Sequence, residues 1–596
     1  MKNKKNSIIT RLICSVILIA SFQMLIVLPG AIRAQETKTV GLTDPKELEA
    51  FLDPIFTERM KKLHIPGAAI AIVKDGKIFF AKGYGSADLE KKTPVIANKT
   101  IFRIGSITKV FTATSLVQLA ERKKINLSDD VNKYLKDFKI QNTYPQPITF
   151  GNLLTHTAGF DEINMGRKTT DADKVIPLGE FLQTRLVRRK PPGEFISYST
   201  YGISLAGYLV ETISGTSFKD YLNKNIFQPL EMNRTSMGEV PANLQPDLAT
   251  GYDYSSSVAG GYHPLAFEYF HTFPASDING TVTDMAHFML AHVDGGRYGK
   301  KRILSERAAR DMREQHFTNH PRLLGITYGF FENRQNGVRA IEHGGVMDGF
   351  SALMYLSPDK KFGIFVACNR EVSGLQETVK ARILNRYFPA RDKPETNQLQ
   401  AQLQERLERF AGKYRADIYC HTCKEGAQGY VPQAFEIKAN NDGTISFWGA
   451  KWKQVEPLVF QLLSGQLDNG EVLVAFRQDQ NGQITNMFNG TWTHEKMPPE
   501  TTQQIVTVNI SPQILNAYVG DYEIAPNRFV TITLEGDRLM GVMTGQQKVE
   551  LSPASETRFV VKEINAEVDF FKDSQGRVTH LILRLNGEEM RGRKTR

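Results

Sequence analysis

The chain has 596 residues, which at about 150 residues per domain corresponds to roughly four units. The hydrophobic set makes up 41% and charged residues 23%, an ordinary soluble balance, and 47 Gly with 26 Pro exclude collagen-like repeats and wholesale disorder. Four cysteines exclude a disulfide scaffold, and half of the net charge of +10 comes from residues 1–34, so the remainder argues against a nucleic-acid partner.

Lys2, Lys4 and Lys5 precede an apolar run from Leu12 to Leu28, broken by Pro29-Gly30 and followed by Ala31-Ile32-Arg33-Ala34. A charged start, an apolar stretch and a small residue at the cut describe a signal peptide over 1–34. The run is shorter than the ~20 residues of a spanning helix, which leaves an uncleaved anchor as the alternative. The mature protein is expected to be exported, periplasmic or extracellular, with no membrane segment after cleavage. Residues 68–85 read as a hairpin, with AAIAIV and IFFAKGYG on either side of Lys74-Asp75-Gly76-Lys77. From Ser106 to Arg122 the apolar residues Ile107, Val110, Phe111, Leu116, Val117 and Leu119 recur at helical spacing. Further helices are predicted around 203–214, 217–226, 284–293 and 375–387, and strands at 350–356 and 362–367. Strands at both ends with helices between imply an α+β domain over 35–390, its antiparallel sheet sewn together from distant parts of the chain.

Residues 391–404 are polar and Pro-containing, a linker. Beyond them the chain repeats itself. Phe410-Ala411-Gly412-Lys413-Tyr414 resembles Tyr518-Val519-Gly520-Asp521-Tyr522, and Asp479-Gln480-Asn481-Gly482 parallels Asp573-Ser574-Gln575-Gly576. Asn441-Asp442-Gly443 has its counterpart in Glu535-Gly536-Asp537. Short strands with Gly turns predict two small all-β, barrel-like domains, over 405–497 and 511–596, separated by 497–504.

The chemistry is expected in the first domain. Ser106-Ile107-Thr108-Lys109 stands where a loop becomes the helix, and SxxK on a helix puts both side chains on one face. A serine hydroxyl is a poor nucleophile until a neighbour takes its proton. Lys109 can do so only when neutral, which requires burial to bring it from ~10.4 to ~7–8. The motif alone is weak: Ser357 to Lys360 is a second SxxK, on a Pro-containing turn, and is read as structural.

Phe102-Arg103-Ile104-Gly105-Ser106-Ile107-Thr108-Lys109 resembles the nucleophile region of the class C β-lactamase and penicillin-binding-protein superfamily of serine hydrolases. Leu153-Leu154-Thr155-His156-Thr157-Ala158-Gly159 is similar to the segment that follows it there. Tyr198-Ser199-Thr200 stands in the place of the Tyr-x-Asn motif, and His343-Gly344-Gly345 in that of Lys-Thr-Gly in its His-x-Gly form. The tandem C-terminal domains resemble the lipocalin-like extensions of some of these hydrolases. The resemblance covers roughly 45–390 and implies an antiparallel sheet flanked by helices, with an all-helical subdomain. It implies Ser106 as the acylated nucleophile, Lys109 as its proton acceptor, Tyr198 as the proton relay and His343 facing the site to polarise substrate or hold the Tyr198 hydroxyl. The backbone N–H groups of Ser106 and Val346 would form the oxyanion hole, with Thr200, Gly344 and Gly345 contacting substrate. Thr200 departs from the family's Asn. A literal Tyr221-Leu222-Asn223 lies on a predicted helix and is read as structural.

Other signals carry less. His156 reads as core packing in preference to a supporting role at the site, Cys368 as a buried thiol, and Cys420-His421-Thr422-Cys423 as a local disulfide or a surface metal half-site. His287 and His292 share no helical face, no HExxH or Gly-x-Ser-x-Gly occurs, and neither metal nor cofactor is expected. The aromatic-rich stretch 252–273 is either a wall over the site or a loop packing on its own domain. The reading is an exported serine hydrolase that forms an acyl-enzyme on Ser106 from an ester, D-amino-acid peptide or β-lactam. Its partner is a small-molecule or peptide substrate, cell-wall material among the candidates. The alternative is a catalytically weak cell-wall or peptide binder that uses the β domains.

Overall fold

A computed structural model describes residues 41–255, 261–372, 374–390, 406–423, 431–464, 472–498, 508, 510–525, 528–543, 548–561, 566–585 and 588–595. The expected signal peptide (1–34), the linker (391–404) and residues 256–260 and 499–504 lie outside the described residues.

The first domain is an α+β unit built on one antiparallel sheet. In chain order its main elements are α1 (Pro45–Lys62), β1 (Gly67–Lys74), β2 (Lys77–Asp88), α2 (Thr108–Glu121), α3 (Thr200–Ser214), α4 (Val282–Val293), β3 (Phe331–Gln335), β4 (Val338–Met347), β5 (Phe350–Ser357), β6 (Phe362–Cys368) and α5 (Leu375–Tyr387). The strands run in the order β3-β4-β5-β6-β1-β2, and the short strand Thr93–Pro94 adds to β2. The expected hairpin is β1–β2. Its turn places Asp75 and Gly76 at φ of +49° and +79°, a left-handed pair that the Asp-Gly dipeptide tolerates.

β1 is apolar without interruption because the sheet is covered on both faces. Ala68, Ile70 and Ile72 pack with Leu48, Leu52 and Phe56 of α1 and Val379 and Ile383 of α5. Ala69, Ala71 and Val73 point the other way, into the core shared with α2, α3 and α4. The helix expected from Ser106 onward is α2, and it is buried on every side from Thr108 to Leu119, so its apolar residues do not mark one buried face. The predicted helix at 217–226 is a short α-helix, Phe218–Leu222, running into one turn of π-helix, Asn223–Phe227.

The C-terminal region forms two closed barrels of eight antiparallel strands, with strands in sequence order. The repeats fall on equivalent positions. The Tyr414 hydroxyl donates to the Phe410 carbonyl at 2.8 Å, and the Tyr522 hydroxyl to the Tyr518 carbonyl at 2.7 Å. Asp479 accepts from the backbone of Asn481 and Gln483, as Asp573 does from Gln575 and Arg577, so both copies close the sixth-to-seventh strand turn alike. Among the described residues, no helix is long and apolar enough to cross a membrane.

Candidate active site

Ser106 lies on a turn whose shape depends on Gly105, at φ +54°. The one-turn 3-10 helix Gly105–Ile107 leads into α2, and the helical spacing brings Lys109 Nζ to 3.0 Å from Ser106 Oγ. The amine also donates to the Ala275 carbonyl at 2.9 Å. Burial in α2 lowers the Lys109 amine to about 7; the Glu162 carboxylate pulls it back up, and the Arg167 guanidinium pushes it further down. The approach to the turn is pinned by Arg103, whose guanidinium contacts Asp277 Oδ1 at 2.6 Å, both side chains buried, and stacks 4.0 Å from the Phe267 ring.

Tyr198 stands one residue before Ser199, which caps α3 by accepting from Gly202 N at 3.0 Å. Lys109 Nζ lies 5.0 Å from the centre of the Tyr198 ring, and Ser106 is near enough to the phenol to lower it slightly. Burial pushes the phenol up, against the smaller lowering by Ser106, so it stays protonated at neutral pH. His156 supports this tyrosine: its ring lies 4.5 Å from that of Tyr198, and its Nδ1 accepts from Ser199 N at 3.1 Å. Burial holds the imidazole well below its ordinary value, hence neutral. Packing is therefore only part of what His156 does. Thr200, at the departure from Tyr-x-Asn, is buried; its backbone N–H donates to Glu162 at 2.9 Å and its hydroxyl accepts from Arg167 at 3.3 Å.

His343, Gly344, Gly345 and Val346 lie on the half of β4 that β3 leaves unpaired, since the β3–β4 ladder ends at Phe331–Glu342. This free edge runs beside the nucleophile turn. A Cβ on Gly345 would lie 1.9 Å from the Ile104 carbonyl oxygen, and one on Gly105 3.0 Å from Val346 N, so only glycine fits at this approach. Gly344 is exposed, as is the Val346 side chain. His343 is buried, its ring 5.2 Å from that of Phe331. Its Nδ1 meets the Gly344 carbonyl at 2.6 Å, which makes Nδ1 the protonated nitrogen and Nε2 a bare acceptor, buried and unpartnered. Burial and the neighbouring Lys109 push the imidazole down to about 3. The structure thus joins Ser106 and Lys109 by a direct hydrogen bond and sets the Tyr198 ring beside them, whereas His343 sits in the same cluster without bonding Ser106 or Tyr198.

The residues read as structural stay outside this cluster. Ser357 bonds the Arg339 carbonyl, Tyr221 is buried against α2, and His287 meets the Leu230 carbonyl. Cys420 and Cys423 form a disulfide, and Cys368 is a buried thiol in β6. The aromatic stretch divides. Tyr252, Tyr254 and Tyr262 pack on one another, with Tyr254 stacked on His64, while Phe267 and Tyr269 gather beside Arg103. Asp417, His421 and Glu495 lie close enough together to share a cation, but Arg189 and Lys190 already pair with both carboxylates. Sequence reading missed Glu162, Arg167, Phe331 and Trp492. None belongs to a motif: Glu162 and Arg167 lie on a loop, Phe331 begins β3, and Trp492 comes from the first barrel.

Residues 52–386, more than half of the chain, match the family model described as Beta-lactamase, and residues 506–594 match one described as a domain of unknown function (DUF3471). Protein flp of Staphylococcus aureus (strain N315) is 29% identical over 346 residues, which cover 56% of this chain and 66% of that protein. A protein named Beta-lactamase from Yersinia enterocolitica is 29% identical over 258 residues, 43% of this chain and 63% of that protein. The matches thus span a little under two thirds of these relatives' lengths. The octameric penicillin-binding protein homologue from Pyrococcus abyssi superimposes with a TM-score of 0.51 at 22% identity, covering 76% of this chain and 100% of that one, a likeness of fold.

Proposed function

This chain belongs to the beta-lactamase family, and we propose that it is an exported serine hydrolase that forms an acyl-enzyme on Ser106 from an ester, a D-amino-acid peptide or a β-lactam. The observation that carries the reading is the contact between Lys109 Nζ and Ser106 Oγ at 3.0 Å, with the amine lowered to about 7. Neutral Lys109 takes the hydroxyl proton as Ser106 Oγ attacks the carbonyl carbon. The N–H groups of Ser106 and Val346 face the oxyanion, where losing one donor typically costs about 3–4 kcal/mol of barrier. Tyr198 passes a proton to the leaving group and recovers one from the water that cleaves the acyl-enzyme. Because its phenol is held protonated, it works as a relay and not as a standing base.

His343 Nε2, an acceptor, suits holding the Tyr198 hydroxyl better than polarising a substrate carbonyl, which needs a donor. Thr200 is tied to Glu162 and Arg167, so it shapes the Lys109 environment more than it offers a free group to substrate. Gly344 and Gly345 leave the β4 edge open to a substrate's backbone or ring amide.

Fluorophosphonate and penicillin labelling followed by peptide mapping tests the reading. Modification confined to Ser106, absent from Ser106→Ala, and turnover of at least one carbonyl class are expected. No modification under conditions that label a control hydrolase would overturn it and favour a binding protein.

A further inference from the structure

We propose that Trp492, carried by the first barrel, is a specificity-determining residue of the hydrolase site and limits the size of the leaving group. The inference rests on the acyl-enzyme chemistry proposed above for Ser106.

Asn489 pairs with Trp492 across a tight hairpin whose turn is Gly490, at φ +56°, and Thr491. This hairpin is held against the segment that carries Tyr198. The Thr493 hydroxyl donates to the Ile196 carbonyl at 2.5 Å, and the Ser197 hydroxyl donates to Asp417 at 3.0 Å. Arg189 adds a bond to Glu495 at 2.9 Å. So docked, the indole ring centre lies 6.4 Å from that of Tyr198, which in turn lies 6.3 Å from Phe331. These three rings line a cleft at the domain seam whose free space is about 10 Å³, roughly one water molecule.

Barrel packing does not account for the indole: Trp492 is 43% exposed, an aromatic ring left at the edge of the site. Tyr198 hands its proton to the departing group, so the ring beside Tyr198 bounds the leaving-group side. The cleft holds about one water, so a leaving group enters it only as far as the indole yields, and a bulky one must displace the ring further than a small one.

Acetate esters of ethanol, phenol and 2-naphthol hold the acyl group constant while the leaving group grows. For each ester the ratio of Trp492→Ala to unaltered protein in kcat/KM cancels intrinsic reactivity. The ratio should rise with size, to about tenfold for 2-naphthyl acetate, and stay within about twofold for ethyl acetate. Trp492→Phe, which keeps a ring on the hairpin, should show the same trend less steeply and carries the test if the alanine variant fails to fold. A ratio equal for all three esters, or lowest for the naphthyl ester, would overturn the inference. Fluorophosphonate labelling of Ser106 separates the two readings. Labelling with a flat ratio removes the role of Trp492 alone, whereas unaltered protein with neither labelling nor turnover removes the acyl-enzyme reading and this inference with it.

Discussion

The amine of Lys109 must be uncharged to accept the Ser106 proton, and burial in α2 brings it to about 7. kcat/KM should therefore climb as pH rises through about 7 and level off above it, because the neutral amine is the working form; a pH–rate profile checks this. Glu162 favours the charged amine, so Glu162→Gln should move that rising limb to lower pH. A purely structural glutamate would leave the limb in place. Lys109→Met should abolish turnover yet stabilise the fold by about 1–3 kcal/mol at pH 6, since it removes a buried cation. The folded amine titrates below the unfolded one, so the cost is fully present below pH 7 and fades toward pH 10.5, and denaturant melts at pH 6 and pH 9 should show the gain shrinking. Ser106 and Lys109 were legible because three-residue spacing on a helix is a local property. Glu162, Arg167 and the His343 tautomer were not, since each depends on what lies across the cleft.

At the scale of elements, the site is the meeting of one turn with the unpaired half of β4. Gly345→Ala would drive a methyl group into the Ile104 carbonyl, a backbone atom that cannot swing aside. It should lower kcat/KM by about 100-fold or more through displacement of the strand edge from Ser106, with ethyl acetate turnover as the measurement. The strands, the hairpin and α5 could be read from alternation, turn dipeptides and helical spacing, which few neighbours override. The aromatic stretch 252–273 could not be resolved in advance. Which ring faces the site depends on Arg103 and His64, residues far off in sequence that claim Phe267 and Tyr254 as packing partners.

At the scale of the whole molecule, the first barrel is part of the catalytic domain's construction. Its loop wraps Asp161, which accepts from His421 N at 3.0 Å and from Thr422 N at 2.9 Å, next in sequence to Glu162. Arg189 and Lys190 pair with Asp417 and Glu495 across the same seam. Arg189→Met would leave Asp417 buried with one cation fewer; a loss of about 3 kcal/mol in denaturant stability is expected, with slower Ser106 labelling as the Tyr198 segment loosens. By itself the sequence determined an α+β domain with a serine–lysine pair on a helix, followed by two repeated β domains, because periodicity, turn residues and short spacings act through near neighbours. Only the tertiary structure decided which charges tune Lys109, which nitrogen of His343 is free and that Trp492 lines the cleft beside Tyr198. Those outcomes rest on distances of a few ångströms between residues up to some hundreds of positions apart, and no local pattern records them.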